Sequence, residues 1–215
     1  MAEPTAADNT TDLATCSCPD ANYTGGRCWP GSYCPAGSAY PLACSYGQYC
    51  DQWTLSAPAG LCDAGYYCNG SAEEPNPSER ECPPGFYCEQ GSGTPTQCPA
   101  GTMSDVTGAM NLTWCDACTA GYYCEGPADT AVTGPCDEGY YCPAGQQVAT
   151  PADFFCTLGH YCPVGTADPV PCPPGYYQDE ILQSICKSCL PGKYCDGLEA
   201  NNGTITPVDC PAGEQ

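Results

Sequence analysis

The heptapeptide Cys118-Thr-Ala-Gly-Tyr-Tyr-Cys124 sets the pattern C-x-x-G-x-Y-C, which occurs eight times. The other copies begin at Cys28, Cys44, Cys62, Cys82, Cys136, Cys156 and Cys189, and all keep Gly at the fourth position and Tyr at the sixth. Three further repeats, at Cys98, Cys172 and Cys210, keep C-P-x-G but lack a cysteine six residues on. The eleven starts lie 16 to 21 residues apart, a period that marks a repeat architecture.

The glycine predicts a turn, because only Gly takes positive φ without a Cβ penalty, and Pro-Gly in three copies strengthens that reading. Two alternating positions follow. The second is always Tyr and the first varies. Successive residues of an extended segment face opposite ways, so the fixed Tyr is expected on the disulfides. The varied residue is expected outward, as at Tyr66, Phe86, Tyr122, Tyr140 and Tyr176. Those outward rings could stack on sugars or on a neighbouring chain, or pack on the adjacent loop.

Leu, Ile, Val and Phe number 21 of 215 residues, too few for an ordinary globular core. Twenty-three cysteines stand in for one, at the density of a disulfide scaffold. Pairing is not fixed by sequence. One scheme closes each repeat on itself: Cys28 with Cys34, Cys44 with Cys50, Cys62 with Cys68, Cys82 with Cys88, Cys118 with Cys124, Cys136 with Cys142, Cys156 with Cys162 and Cys189 with Cys195, plus Cys98 with Cys115 and Cys172 with Cys186. It leaves Cys16, Cys18 and Cys210. A second scheme joins the last cysteine of each repeat to the first of the next, and a third interlocks cysteines in fours from Cys34.

So many cysteines imply an oxidising setting, extracellular or at the cell surface. Sequons at Asn9, Asn22, Asn69, Asn111 and Asn202 agree with N-glycosylation. Thr and Ser near Pro, in Gly93-Thr-Pro-Thr96 and Thr204-Ile-Thr-Pro207, hint at O-glycans. The net charge of −21, opposed only by Arg27, Arg80, Lys187 and Lys193, argues against nucleic acid and anionic lipid as partners. No apolar run approaches membrane-spanning length, so no membrane insertion is expected.

Residues 1–15 read as a polar tail, and 16–97 as repeats with a first super-repeat from Cys28. Gaps of 11, 13 and 9 residues between cysteine pairs recur, giving a second super-repeat at 98–171 and a partial third at 172–215. The fold class is small disulfide-rich repeats stacked as an elongated, solenoid-like rod of short strands and turns with almost no helix. Asp179 to Ser184 is the one place where a helical turn is expected.

The long repeat Cys172-Pro-Pro-Gly-Tyr-Tyr-Gln-Asp-Glu-Ile-Leu-Gln-Ser-Ile-Cys186-Lys-Ser-Cys189, and its counterpart from Cys98 to Cys118, resemble the ephrin-receptor-like cysteine-rich repeat. They are also similar to the first module of tumour-necrosis-factor-receptor repeats. The short repeats resemble condensed tandem forms in large surface proteins of protists and algae. The resemblance covers Cys16 to Gln215 and implies a spacer, adhesin or receptor ectodomain, with no catalytic residues to carry over.

No catalytic, metal or cofactor site is expected. His160 is the single histidine and offers no acid–base partner. Cys115-Asp-Ala-Cys118 and Cys186-Lys-Ser-Cys189 are explained as repeat junctions, and Asp137-Glu138 as a solvated pair. The chain ends within a repeat begun at Cys210, and Cys18 precedes Cys28 as Cys88 precedes Cys98. That pattern leads to the expectation of a structural subunit of a glycosylated extracellular filament, assembled from copies of itself head to tail, with Cys16, Cys18 and Cys210 at the junction. The alternative is a receptor or adhesin ectodomain binding a protein ligand along a cysteine-rich stalk. A compact chain of this length has a radius of gyration of roughly 17 Å; small-angle scattering of the isolated chain should give a clearly larger value, and the compact value would refute the rod.

Overall fold

The computed structural model describes residues 28–38, 40–197 and 203–211. Cys16, Cys18, Asn9, Asn22 and Asn202 lie outside the described residues, as does Arg27. The chain forms two compact bodies. One draws on the chain to Pro83 with Tyr87–Thr96 and Thr107–Asn111; the other comprises Pro84–Phe86, Gln97–Val106 and Leu112–Gln215.

Each repeat is a minimal hairpin. The two residues after the glycine turn pair antiparallel with the two residues before the next repeat's first cysteine. Thus β1 (Ser32–Tyr33) pairs with β2 (Leu42–Ala43), and β3 (Gln48–Tyr49) with β4 (Gly60–Leu61). Eight such two-stranded sheets form among the described residues. In the repeats begun at Cys62 and Cys136 the same register survives as single bridges, Tyr66 to Glu81 and Tyr140 to Phe155. Helix among the described residues is limited to 3-10 turns at Ser78–Arg80 and Leu112–Trp114. Asp179 to Ser184 is not helical. Leu182 sits at φ +60°, in the left-handed region that a right-handed helix cannot contain.

Among the described residues ten disulfides close the repeats begun at Cys28 through Cys189 on themselves, including Cys98–Cys115 and Cys172–Cys186, with Cα–Cα distances of 5.6–6.2 Å. Among the described residues Cys210 is a free, exposed thiol. Among the described residues the buried apolar set consists of seventeen cysteines with Ala72 and Ala109, and no Leu, Ile, Val or Phe. A cross-link spanning six residues stabilises by about 2–3 kcal/mol in the chain-entropy account, but it acts only within its own repeat.

Backbone hydrogen bonds join one repeat to the next, and they converge on the repeat glycine. The Gly121 N–H donates to the Cys142 carbonyl (2.8 Å), and the Gly121 carbonyl accepts from the Cys136 N–H (3.0 Å). The same two bonds recur along the chain, from Gly31 (to Cys50 and from Cys44) to Gly175 (to Cys195 and from Cys189). In the repeats begun at Cys44 through Cys172, a third bond ties a residue nine or ten places after the first cysteine back to the previous repeat's first cysteine, as Ala128 N–H donates to the Cys98 carbonyl (2.9 Å). The donors in this loop position are Thr54, Ser71, Gly91, Gly108, Ala128, Gly145, Gly165 and Leu182, and every one has positive φ.

Contacts are not confined to neighbouring repeats, contrary to the nearest-neighbour stack expected from the period. A methyl group at Gly31 would meet the Ser71 carbonyl oxygen at 2.8 Å, and one at Gly121 would meet that of Gly165 at 2.5 Å, each two repeats on. Gln147 Nε2 likewise donates to the Ala100 carbonyl (3.2 Å). The repeat glycine is therefore required twice, by its φ of +87° at Gly121 and by this close approach.

The long repeats keep the ladder after their second cysteine has moved. Gly85 N–H donates to the Ser104 carbonyl and Gly159 N–H to that of Gln178, both at 2.8 Å. Ser104 and Gln178 occupy the sixth position after Cys98 and Cys172, and both are buried. Gln178 stitches down the extra loop: its Nε2 donates to the Ile185 carbonyl (2.7 Å) and its Oε1 accepts from the Glu180 N–H (3.1 Å).

Two expectations follow. Gly121→Ala should cost several kcal/mol, on the order of 3, from strain and overlap together. Ala128→Gly, which relieves a left-handed Ala, should be neutral or stabilising by up to about 1 kcal/mol; denaturation midpoints under non-reducing conditions compare the two. Gln178→Ala should cost about 1–3 kcal/mol by leaving two loop groups without this partner. Limited proteolysis should then cut faster within residues 179–185 while the Gly159 amide stays protected from exchange.

Candidate functional site

The fixed and varied positions of each hairpin divide less cleanly than strict alternation implies. Tyr49 packs on Cys62, Cys68 and Ala72 of the following repeat. Its ring lies over the cross-strand Gly60, as that of Tyr123 lies over Gly134. Tyr141 meets Phe154 edge to face, centroids 5.4 Å apart. Of the outward aromatics, Tyr122 and Tyr176 are exposed, whereas Tyr66, Phe86 and Tyr140 are half-buried. Tyr66 and Tyr140 lie where the hairpin narrows to one bridge. Ser32, at the same position, is buried, while the fixed Tyr194 is exposed. The rings therefore do not form one continuous exposed row.

The remaining expected sites are dispersed. Asn69 and Asn111 are both exposed. Thr204 is buried and its hydroxyl accepts from the Gly197 N–H (3.0 Å), so that threonine is not open to O-glycosylation. His160 Nδ1 lies 3.0 Å from the Leu158 carbonyl of its own turn, and Asp137 and Glu138 are exposed. Among the described residues no three His, Cys, Asp or Glu side chains gather as a metal group, and no helix is long and apolar enough to cross a membrane.

The three described cations are all engaged locally. Lys187 Nζ bridges Asp179 (2.6 Å) and Glu180 (3.2 Å), and Lys193 Nζ meets its cross-strand partner Asp209 (2.8 Å). The hydrogen bond between them holds the Asp179 carboxyl below its ordinary value and raises the Lys187 ammonium above its own. Arg80 Nη1 reaches the Gly70 carbonyl (3.4 Å), beside an acidic hollow lined by Glu73, Glu74 and Glu79.

Two apolar clefts flank the long repeats, and sequence reading did not anticipate them. The larger, about 820 Å³, is lined by Met103, Val106, Trp114 and Val132 with Ser104, Asp105 and Asp116. The smaller, about 240 Å³, is lined by Tyr161, Pro173, Tyr176, Ile185 and Cys186. Trp114 and Ile185 hold the same place in the two repeats, directly before the displaced cysteine, and they are 42% and 71% exposed. The available signal was the length anomaly itself: a cysteine that leaves the sixth position sends out a loop, and the loop walls a cleft.

Residues 159–205 match the tyrosine-protein kinase ephrin type A/B receptor-like family. That stretch contains the long repeat closed by Cys172–Cys186. The chain is 32% identical over 109 residues, 45% of its length, to ABC transporter G family member 25 of Oryza sativa subsp. japonica. It is 29% identical over 127 residues, 56% of its length, to cysteine repeat modular protein A of Toxoplasma gondii. The matched stretches span 9% and 3% of those two proteins. This chain is a tandem array of cysteine-rich repeats, ephrin-receptor-like over residues 159–205.

Proposed function

We propose that this chain is an extracellular, non-enzymatic repeat segment of receptor or adhesin type, which holds protein-binding clefts on a disulfide-stapled backbone ladder. The observation that carries the reading is the pair of clefts at the long repeats, one of them inside the stretch similar to ephrin-type receptors. A core made almost entirely of cystine supports an oxidising, extracellular setting. The exposed Asn69 and Asn111 sequons are compatible with glycosylation there.

A second reading, the structural filament, draws on Cys210. Its N–H donates to the Gly192 carbonyl (3.1 Å), the bond that the repeat-opening cysteines from Cys44 to Cys189 make, and its thiol is exposed. One preparation tests both readings: the chain secreted from eukaryotic cells and run without reductant. The receptor-type reading expects a monomer in the medium with ten intra-repeat disulfides by peptide mapping, unchanged by Cys210→Ser. Covalent multimers abolished by Cys210→Ser would favour the filament, and protein retained in cells with reduced cysteines would overturn the extracellular reading.

A further inference from the structure

We infer that the larger cleft is a docking site for a segment of a partner protein carrying an apolar anchor flanked by Lys or Arg. The inference rests on the receptor-type reading and adds the chemistry of the ligand.

The cleft pairs an apolar wall with an acidic rim. Val106 and Trp114 are 39% and 42% exposed, and Val132 completes the wall. A half-exposed Trp in a concave site is the residue type that most often dominates protein–protein affinity. Asp105 and Asp116 stand on the rim, are exposed, and enter none of the three ion pairs formed among the described residues. All three described cations are engaged elsewhere, so the rim faces solvent as uncompensated negative charge.

Ser104 is buried where it lines the cleft, so its amide reports on the cleft floor. Charge then chooses the occupant. A chain carrying −21 attracts cationic segments and repels a second copy of itself at an acidic rim. A neutral saccharide could use Trp114 but would gain nothing from the field.

The test is a ¹⁵N titration of the disulfide-intact chain, read at the Trp114 indole N–H and the Ser104 amide. The probes are Ac-Lys-Leu-Phe-Arg-amide, Ac-Glu-Leu-Phe-Glu-amide and maltohexaose. The basic peptide should shift both resonances saturably, and raising the salt should weaken it. The double substitution Asp105→Asn with Asp116→Asn, at exposed positions that leave the ladder untouched, should weaken it roughly three- to tenfold. Trp114→Ala should abolish it while the amide spectrum of the other repeats is retained. Equal binding of both peptides, shifts with maltohexaose alone, or no shift with any probe would overturn the assignment. None of these outcomes bears on secretion or disulfide pairing, which test the receptor-type reading separately.

Discussion

The structure depends on one peptide group per repeat, that of the glycine in C-x-x-G-x-Y-C. Its N–H and its carbonyl are both bonded to the following repeat, and from Gly31 to Gly139 a side chain at that position would collide with a carbonyl two repeats on. Each bond contributes only about 0.5–1.5 kcal/mol net. Their geometry nevertheless fixes how one hairpin is set on the next without using any side chain. That is why the residues between the cysteines vary so widely while the spacing holds. Two-residue strands are far too short to be stable alone. They persist because each hairpin is closed covalently at one end and hydrogen-bonded to its successor at the other.

Covalent and non-covalent cohesion are divided accordingly. Every disulfide among the described residues lies inside a repeat, so cystine limits the freedom of the unfolded turn and fills the place of a hydrophobic core. The long repeats show that the two roles separate. Ser104 and Gln178 keep the backbone bonds that belong to a second cysteine, while Cys115 and Cys186 still reach Cys98 and Cys172 at ordinary Cα separations of 5.6 and 5.9 Å. The ladder reads position and the cross-link reads distance, so a loop can be inserted between them without breaking either.

Much of this was legible because cysteine and glycine report directly on geometry. The six-residue spacing, the turn at glycine and the extended pair of residues that follows are all visible in Cys118 to Cys124. The pairing of that stretch with the residues before the next cysteine, and the loop that bonds back to the previous repeat, were not. The loop's left-handed position is filled by Thr54, Ser71, Ala128 and Leu182 as often as by glycine, so no residue type marks it. The same concealment produced the helical expectation at Asp179 to Ser184, where Leu182 is held left-handed by its bond to the Cys156 carbonyl. Contacts two repeats apart were hidden for a related reason: they are made by main-chain atoms, which carry no sequence signature.

Recognition in such a chain has few places to occur. The ladder consumes backbone polar groups, and a cystine core leaves almost no side-chain volume from which to carve a pocket. The short repeats are therefore nearly interchangeable surfaces. A cavity needs chain that leaves the ladder, and the two described long repeats supply it, each with an exposed apolar residue directly before the displaced cysteine. Their rims differ. Lys187 pairs with Asp179 and Glu180 in the smaller cleft's repeat, whereas Asp105 and Asp116 at the larger one enter no such pair. Two clefts built by the same device thus carry differently compensated charge, set by the composition of the inserted loops.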